Sequence, residues 1–89
     1  MRERTVVVAS RVGLHARPAS LFSQAAARAG VPIMLTSSRG KSVNAASILG
    51  VLSLGIDHGE SVTLASEAAE ADAALDDLVA MLQRDLDEE

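Results

Sequence analysis

The sequence contains no cysteine, which excludes disulfide bonds, a thiolate nucleophile and metal sites with cysteine ligands. Aromatic residues are nearly absent as well, since Phe22 is the only one among 89 residues. Lysine and arginine total 8 against 12 acidic residues, giving a formal net charge of -4 at pH 7. Nucleic-acid-binding proteins usually present a basic face with aromatic side chains for stacking. We therefore expect no nucleic-acid partner and no metal ion.

Long apolar runs are also missing. Apolar residues make up 48% of the chain, yet no stretch approaches the roughly 20 residues needed to cross a membrane. The apolar run after Met1–Arg4 is too short for the core of a signal peptide. We expect one monomeric domain over residues 1–89, located in the cytoplasm without membrane insertion, and with a core of aliphatic side chains.

Hydrophobic patterning predicts four strands and three helices. Strands are expected at residues 5–9, 31–36, 41–43 and 60–66, which are rich in β-branched residues or alternate polar and apolar side chains. Helices are expected at residues 16–29, at 47–54 and from about residue 71 onward. The last helix repeats apolar residues at the spacing of an amphipathic helix: Ala71, Leu75, Leu78, Leu82 and Leu86. The order βαββαβα is typical of an α+β fold in which helices cover one sheet face.

The stretch Gly13–Pro18 joins the first strand to the first helix. Proline fits a helix only in the first turn, where its missing N–H would have no intrahelical acceptor. Pro18 therefore sets the helix start at about Ala16 and places His15 at or next to the N-cap. The N–H groups of Ala16 and Arg17 would then face the surroundings of the imidazole, at the positive end of the helix dipole. With the Arg17 guanidinium, they predict an anion site beside His15.

A histidine at a helix start is more often a cap or surface residue than a reactive group. Here the helix terminus and Arg17 would both disfavour a positive charge on the His15 ring, and the neutral ring is the nucleophilic form. Both also attract a phosphoryl group once it is attached, by about 0.3–1 kcal/mol for the terminus and roughly 1.5–3 kcal/mol for arginine. The sequence therefore indicates a phosphoryl acceptor.

These residues resemble a known family. Gly13-Leu14-His15-Ala16-Arg17-Pro18-Ala19 is similar to the active-site signature of HPr, the histidine-containing phosphocarrier family of the sugar phosphotransferase system. The segment Gly40–Gly55 is similar to the second signature of that family, and the chain length and element order agree with it. The resemblance implies an open-faced β-sandwich, in which a four-stranded antiparallel sheet is covered on one face by three helices.

The resemblance also implies a function. His15 would accept a phosphoryl group on Nδ1 from phosphorylated enzyme I, which is charged by phosphoenolpyruvate, and pass it to a sugar-specific subunit. Arg17 would neutralise the phosphoryl group, and Pro18 would fix the first helical turn. The chain would be a covalent intermediate without a cofactor rather than an enzyme.

Ser47 matches the position that a dedicated kinase phosphorylates in many members of the family. A serine kinase/phosphorylase and a transcriptional regulator are therefore possible further partners. Serine is also a favoured N-cap, so a purely structural role is the alternative.

The second helix carries more apolar residues than one buried stripe requires. Either the whole helix is buried, or Ile48, Leu49 and Leu52 form a docking patch together with Leu14 and Leu21. We expect the docking patch, most of all for Leu49.

Two other functions fit parts of the sequence. A regulatory module switched at Ser47 would need no phosphoryl acceptor, and the presence of His15 with Arg17 argues against it as the sole role. A small enzyme would need a pocket-forming second domain, paired carboxylates near His15 or a nucleotide loop, and the sequence shows none of these.

Overall fold

The computed structural model describes residues 2–84, so Leu86 lies outside the described residues. The chain forms strand β1 (Arg2–Val7), helix α1 (Ala16–Arg28), strands β2 (Met34–Thr36) and β3 (Ser42–Asn44), helix α2 (Ile48–Ser53), strand β4 (Ser61–Ser66) and helix α3 (Asp72–Leu82). The strands make one antiparallel sheet in the order β1-β4-β2-β3. The sheet and the three helices together form an open-faced sandwich, so the predicted fold is confirmed.

The core lies between the sheet and the helices and is almost entirely aliphatic. Alternate residues of the strands point into it, among them Val6, Leu35 and Leu64. Helix α1 contributes Phe22, which is fully buried and lies between the buried Ala19 and Ala26 on one face of the helix. The predicted apolar stripe of α3 is buried over Ala71, Leu75, Leu78 and Leu82. Each buried leucine contributes roughly 1.5–3 kcal/mol, which lets so short a chain form a core without aromatic packing.

The other face of the sheet is mainly polar, although Val7 and Met34 are exposed on it. Its register places Thr5, Thr63, Thr36 and Ser42 in one row across all four strands. The hydroxyl oxygens of Thr5 and Thr63 are 3.4 Å apart, and those of Thr36 and Ser42 are 2.7 Å apart. Small hydroxyl side chains suit a sheet face that no helix covers, because water replaces packing there.

The strand boundaries differ from the sequence prediction. Strand β1 begins at Arg2 instead of Thr5, because the residues from Arg2 onward pair with β4. The side chain of Arg2 donates to the Ala69 carbonyl just before α3. Arg4 donates to Asp76 at 2.9 Å and to Asp72 at 3.2 Å. The strand also ends earlier, and the Ala9 N–H donates instead to the Leu82 carbonyl of α3 at 2.9 Å. Strand β2 is shorter than predicted, and β3 is shifted by one residue.

Candidate phosphoryl-transfer site

Main-chain hydrogen bonds fasten the loop between β1 and α1 to the loop between α2 and β4. The Leu14 N–H donates to the Ile56 carbonyl, and the Gly59 N–H donates to the Val8 carbonyl, both at 2.9 Å. Gly13 has a φ of 70°, and a Cβ there would lie 2.2 Å from the Ile56 carbonyl oxygen. Only glycine allows both this backbone conformation and this approach. The two loops therefore form one unit that fixes where α1 begins.

His15 is the N-cap of α1, with extended backbone angles of -122° and 159°. Its side chain makes no capping hydrogen bond and is 42% exposed, so the imidazole is neither buried nor used to hold the helix. Helix α1 begins at Ala16, as predicted, and Pro18 is its third residue. The ring therefore lies at the positive end of a 13-residue helix, within reach of solvent.

Arg17 is the second residue of α1, and it is exposed. In any α-helix the first N–H groups have no intrahelical acceptor, and here these include the main-chain groups of Ala16 and Arg17. A guanidinium adds a full positive charge in the same turn. Oriented N–H groups and a guanidinium are the arrangement that binds phosphate at helix starts.

Asp57 is the residue of this site that the sequence analysis missed. Its Oδ1 lies 3.9 Å from Nε2 of His15, and its side chain is 80% exposed. Asp57 is far from His15 in the sequence, and no motif links the two. Only the contact between the two loops brings them together, so no sequence signal pointed to this pair.

Glu60 holds the Asp57 loop in place. Its Oε1 accepts the Asp57 N–H at 3.2 Å, and its Oε2 accepts both the hydroxyl and the N–H of Ser38, at 2.8 and 3.1 Å. These bonds, the Ser38 hydroxyl foremost, hold the pKa of Glu60 below its ordinary value of 4.5. On the other side of the loop, Nδ1 of His58 lies 3.1 Å from the Ser10 carbonyl. His58 is exposed, as a turn residue should be, but it also ties the two loops together.

Leu14 does not belong to a docking patch, and that prediction is wrong. The residue is fully buried. Leu14 precedes the N-cap and Ala19 is the fourth residue of the helix, which are the two positions of a hydrophobic staple. Ala19 is also fully buried. An apolar side chain just before a helix fixes the entry of the chain into the core, so it is unavailable to a partner.

Helix α2 does expose apolar side chains. Leu49 is 78% exposed, while Ile48 and Leu52 are 39% and 37% exposed. Leu21 of α1 is half-buried, and α1 packs against α2. Val12, which the sequence analysis did not single out, is 51% exposed in the loop that leads to His15. The docking role of these side chains stays a prediction, but their exposure is what it requires.

Ser47 is the N-cap of α2, and its Oγ accepts the Gly50 N–H at 3.1 Å. A Cβ at position 50 would lie 3.2 Å from Ser47 Oγ and equally close to Val43, so glycine makes room for the cap. The serine is nevertheless exposed. Both interpretations of Ser47 are therefore compatible with its surroundings.

Comparison with known proteins gives a consistent result. Residues 2–84 match the model of the family described as the PTS HPr component phosphorylation site. The chain is 49% identical over 88 residues to phosphocarrier protein HPr of Streptomyces coelicolor, with 99% of this chain and 95% of that protein covered. The crystal structure of HPr from Thermoanaerobacter tengcongensis superposes with a TM-score of 0.90 at 38% identity, covering 100% of this chain and 99% of the other.

A third relative is Crh of Bacillus subtilis, described as a catabolite repression protein. Its crystal structure is 41% identical, covers 93% of this chain and 94% of the other, and has a TM-score of 0.71. That protein is described as a dimer with a swapped domain. Across residues 2–84, no helix of the present chain has the length and apolarity that a membrane span requires.

Proposed function

Because the chain belongs to the HPr family, whose members are phosphocarriers of the phosphotransferase system, we propose that His15 is its phosphoryl acceptor. Enzyme I would supply the group, and a histidine of a sugar-specific subunit would receive it. The observation that carries the proposal is the half-exposed imidazole at the N-cap of α1, with Arg17 in the first turn. We place the transfer in the cytoplasm and expect the chain to act as a monomer, which sedimentation can test.

The transfer is one displacement at phosphorus. The lone pair of His15 Nδ1 attacks the phosphorus while the bond to the donor histidine breaks, and that electron pair returns to the donor nitrogen. The positive end of α1 and Arg17 stabilise the dianion after it arrives. Delivery to the next histidine is the same step in reverse. Moderate stabilisation suits a carrier, because a group held too firmly would not be passed on.

The direct test is incubation with enzyme I and phosphoenolpyruvate, followed by intact mass spectrometry. We expect a gain of one phosphoryl group that is stable in alkali and labile in acid. An enzyme I that phosphorylates another carrier but leaves this chain unmodified would contradict the proposal. A regulatory module would then be the better interpretation.

Replacing Arg17 with alanine should slow phosphoryl transfer roughly 10- to 100-fold, because a charge-assisted bond of roughly 1.5–3 kcal/mol to the transferred group is lost. Stopped-flow or quench kinetics with enzyme I would measure this. Arg28→Ala is the matched control, since Arg28 is an exposed arginine in the last turn of the same helix. Equal rates for the two variants, or unfolding of Arg17→Ala, would assign Arg17 to the scaffold instead.

Replacing Leu49 with alanine should raise the KM of enzyme I for this carrier about fivefold, because truncating an apolar side chain at the centre of an interface costs on the order of 1 kcal/mol. Stability should hardly change, since the side chain is already 78% exposed. Met34→Ala is the control, because Met34 is an exposed apolar residue of β2 on the polar sheet face. A KM that Leu49→Ala leaves unchanged would exclude Leu49 from the interface.

We further propose that phosphorylation of Ser47 regulates the carrier. Ser47 directly precedes the exposed residues Ile48 and Leu49, so a phosphate there would place charge at the docking surface. Ser47→Asp should therefore raise the KM for enzyme I more than Ser47→Ala does. Ser47→Ala should instead lose roughly 1 kcal/mol of unfolding free energy with the cap. The same KM in both variants would leave Ser47 with its capping role alone.

A further inference from the structure

We propose that Asp57 is a positioning residue for phosphoryl transfer, which keeps the imidazole hydrogen of His15 on Nε2 and so leaves Nδ1 as the nucleophile. The inference rests on the proposed role of His15 and deepens it. It concerns a contact between two loops that no sequence motif contains.

The proximity of the two side chains is built into the backbone. Leu14, the neighbour of His15, bonds to Ile56, the neighbour of Asp57, at 2.9 Å. Next to this bond, Gly13 lies so close to the main chain of Ile56 and Asp57 that no Cβ fits. The two side chains therefore extend from backbone positions that cannot separate while the fold is intact.

The atoms that face each other determine which tautomer of His15 the contact favours. Asp57 Oδ1 faces Nε2 of the ring at 3.9 Å, which is longer than a hydrogen bond and within electrostatic range. Both side chains are exposed enough to rotate, and hydrogen bonds of this kind often tighten only when a partner is bound. A carboxylate only accepts hydrogen bonds, so it favours the tautomer with the hydrogen on Nε2.

That tautomer has its lone pair on Nδ1. When Nδ1 bonds to phosphorus, both ring nitrogens are substituted and the ring gains positive charge, while the departing nitrogen of the donor takes up the electron pair. Asp57 then stabilises the charged ring, and Arg17 stabilises the phosphoryl group. Two other titratable residues of the Asp57 loop have partners of their own, because Glu60 accepts from Ser38 and the Asp57 N–H, and His58 bonds to Ser10.

The first measurement needs no partner protein. At a pH at which the His15 ring is neutral, nitrogen-15 chemical shifts report which ring nitrogen carries the hydrogen. We expect the fraction with the hydrogen on Nδ1 to rise about two- to fivefold in Asp57→Ala, as for the loss of an exposed charged contact. Asp57→Asn should give an intermediate fraction, since its amide oxygen still accepts a hydrogen bond from Nε2. Glu67→Ala is the control, because it removes an exposed carboxylate next to the far end of β4.

The second measurement is the rate of phosphoryl acceptance from enzyme I. Asp57→Ala should be about two- to fivefold slower than Glu67→Ala, with a smaller difference at high salt. Unchanged tautomer fractions would overturn the inference, whether or not His15 accepts a phosphoryl group. A faster rate in Asp57→Ala would overturn it too, because the main effect of Asp57 would then be to repel the incoming phosphoryl group. If the wild-type protein accepts no group, the proposed function fails while the tautomer result still decides the role of Asp57.

Discussion

Replacing His15 with alanine should abolish phosphoryl acceptance, so that enzyme I and phosphoenolpyruvate add no mass to the protein. No other described side chain combines an exposed imidazole with a helix start and a guanidinium in the same turn. The fold should survive, because the His15 side chain makes no capping hydrogen bond and is 42% exposed. Circular dichroism and thermal unfolding would confirm that the loss is chemical.

His58→Ala is the matched control for this variant. His58 is the other histidine of the chain, is exposed, and lies in the loop that contacts the site. It should retain acceptance of one phosphoryl group. A His15→Ala protein that still gains an acid-labile phosphoryl group would move the acceptor elsewhere, and His58 would be the first residue to examine.

Replacing Gly13 with alanine should be the most destabilising change near the site. A left-handed φ of 70° costs a side-chain-bearing residue about 1–2 kcal/mol. The new Cβ would also overlap the main chain of Ile56 and Asp57, and overpacking adds roughly 1–3 kcal/mol. The sum is a large part of the roughly 5–15 kcal/mol that keeps a domain folded. Denaturant unfolding would measure the loss, and the phosphorylation assay should show slower acceptance because the two loops must separate.

Gly30→Ala separates the two causes. Gly30 has a similar φ of 76°, but nothing lies within 4 Å of a Cβ built there. The unfolding free energy of this variant should therefore fall only by the cost of the left-handed backbone, and the protein should still accept a phosphoryl group. Equal destabilisation in the two variants would mean that the approach of Gly13 to Ile56 relaxes easily, and that the loop contact does not fix the site.

Local chemistry made much of this fold predictable. Pro18 located the start of α1, and the leucine spacing located α3, because both features act within a few turns of one helix. The strand ends were harder to predict, because the sequence does not show that Arg2 finds an acceptor in the Ala69 carbonyl before α3 and Arg4 one in Asp76 of α3. Helices are encoded locally, whereas the limits of a strand depend on its neighbours.

The site divides in the same way. His15, Arg17 and Pro18 are consecutive or nearly so, and a short motif was enough to place them together in the first turn. Leu14 was misassigned because exposure depends on the core that surrounds a side chain, which a motif does not contain. Asp57 was missed because its place beside His15 depends on a loop that the chain reaches only after two helices and two strands.

Main-chain hydrogen bonds hold together the two loops at His15. The Leu14 N–H donates to the Ile56 carbonyl, the Gly59 N–H to the Val8 carbonyl, and the Val8 N–H to the Glu60 carbonyl. Such bonds join groups of the main chain, so they restrict the choice of side chains in the two loops only a little, except at Gly13. Exposed positions such as Val12 are thus open to replacement without rebuilding the scaffold. Substitutions at exposed positions can consequently change which partners the domain docks with, while the reactive nitrogen of His15 stays in the same position.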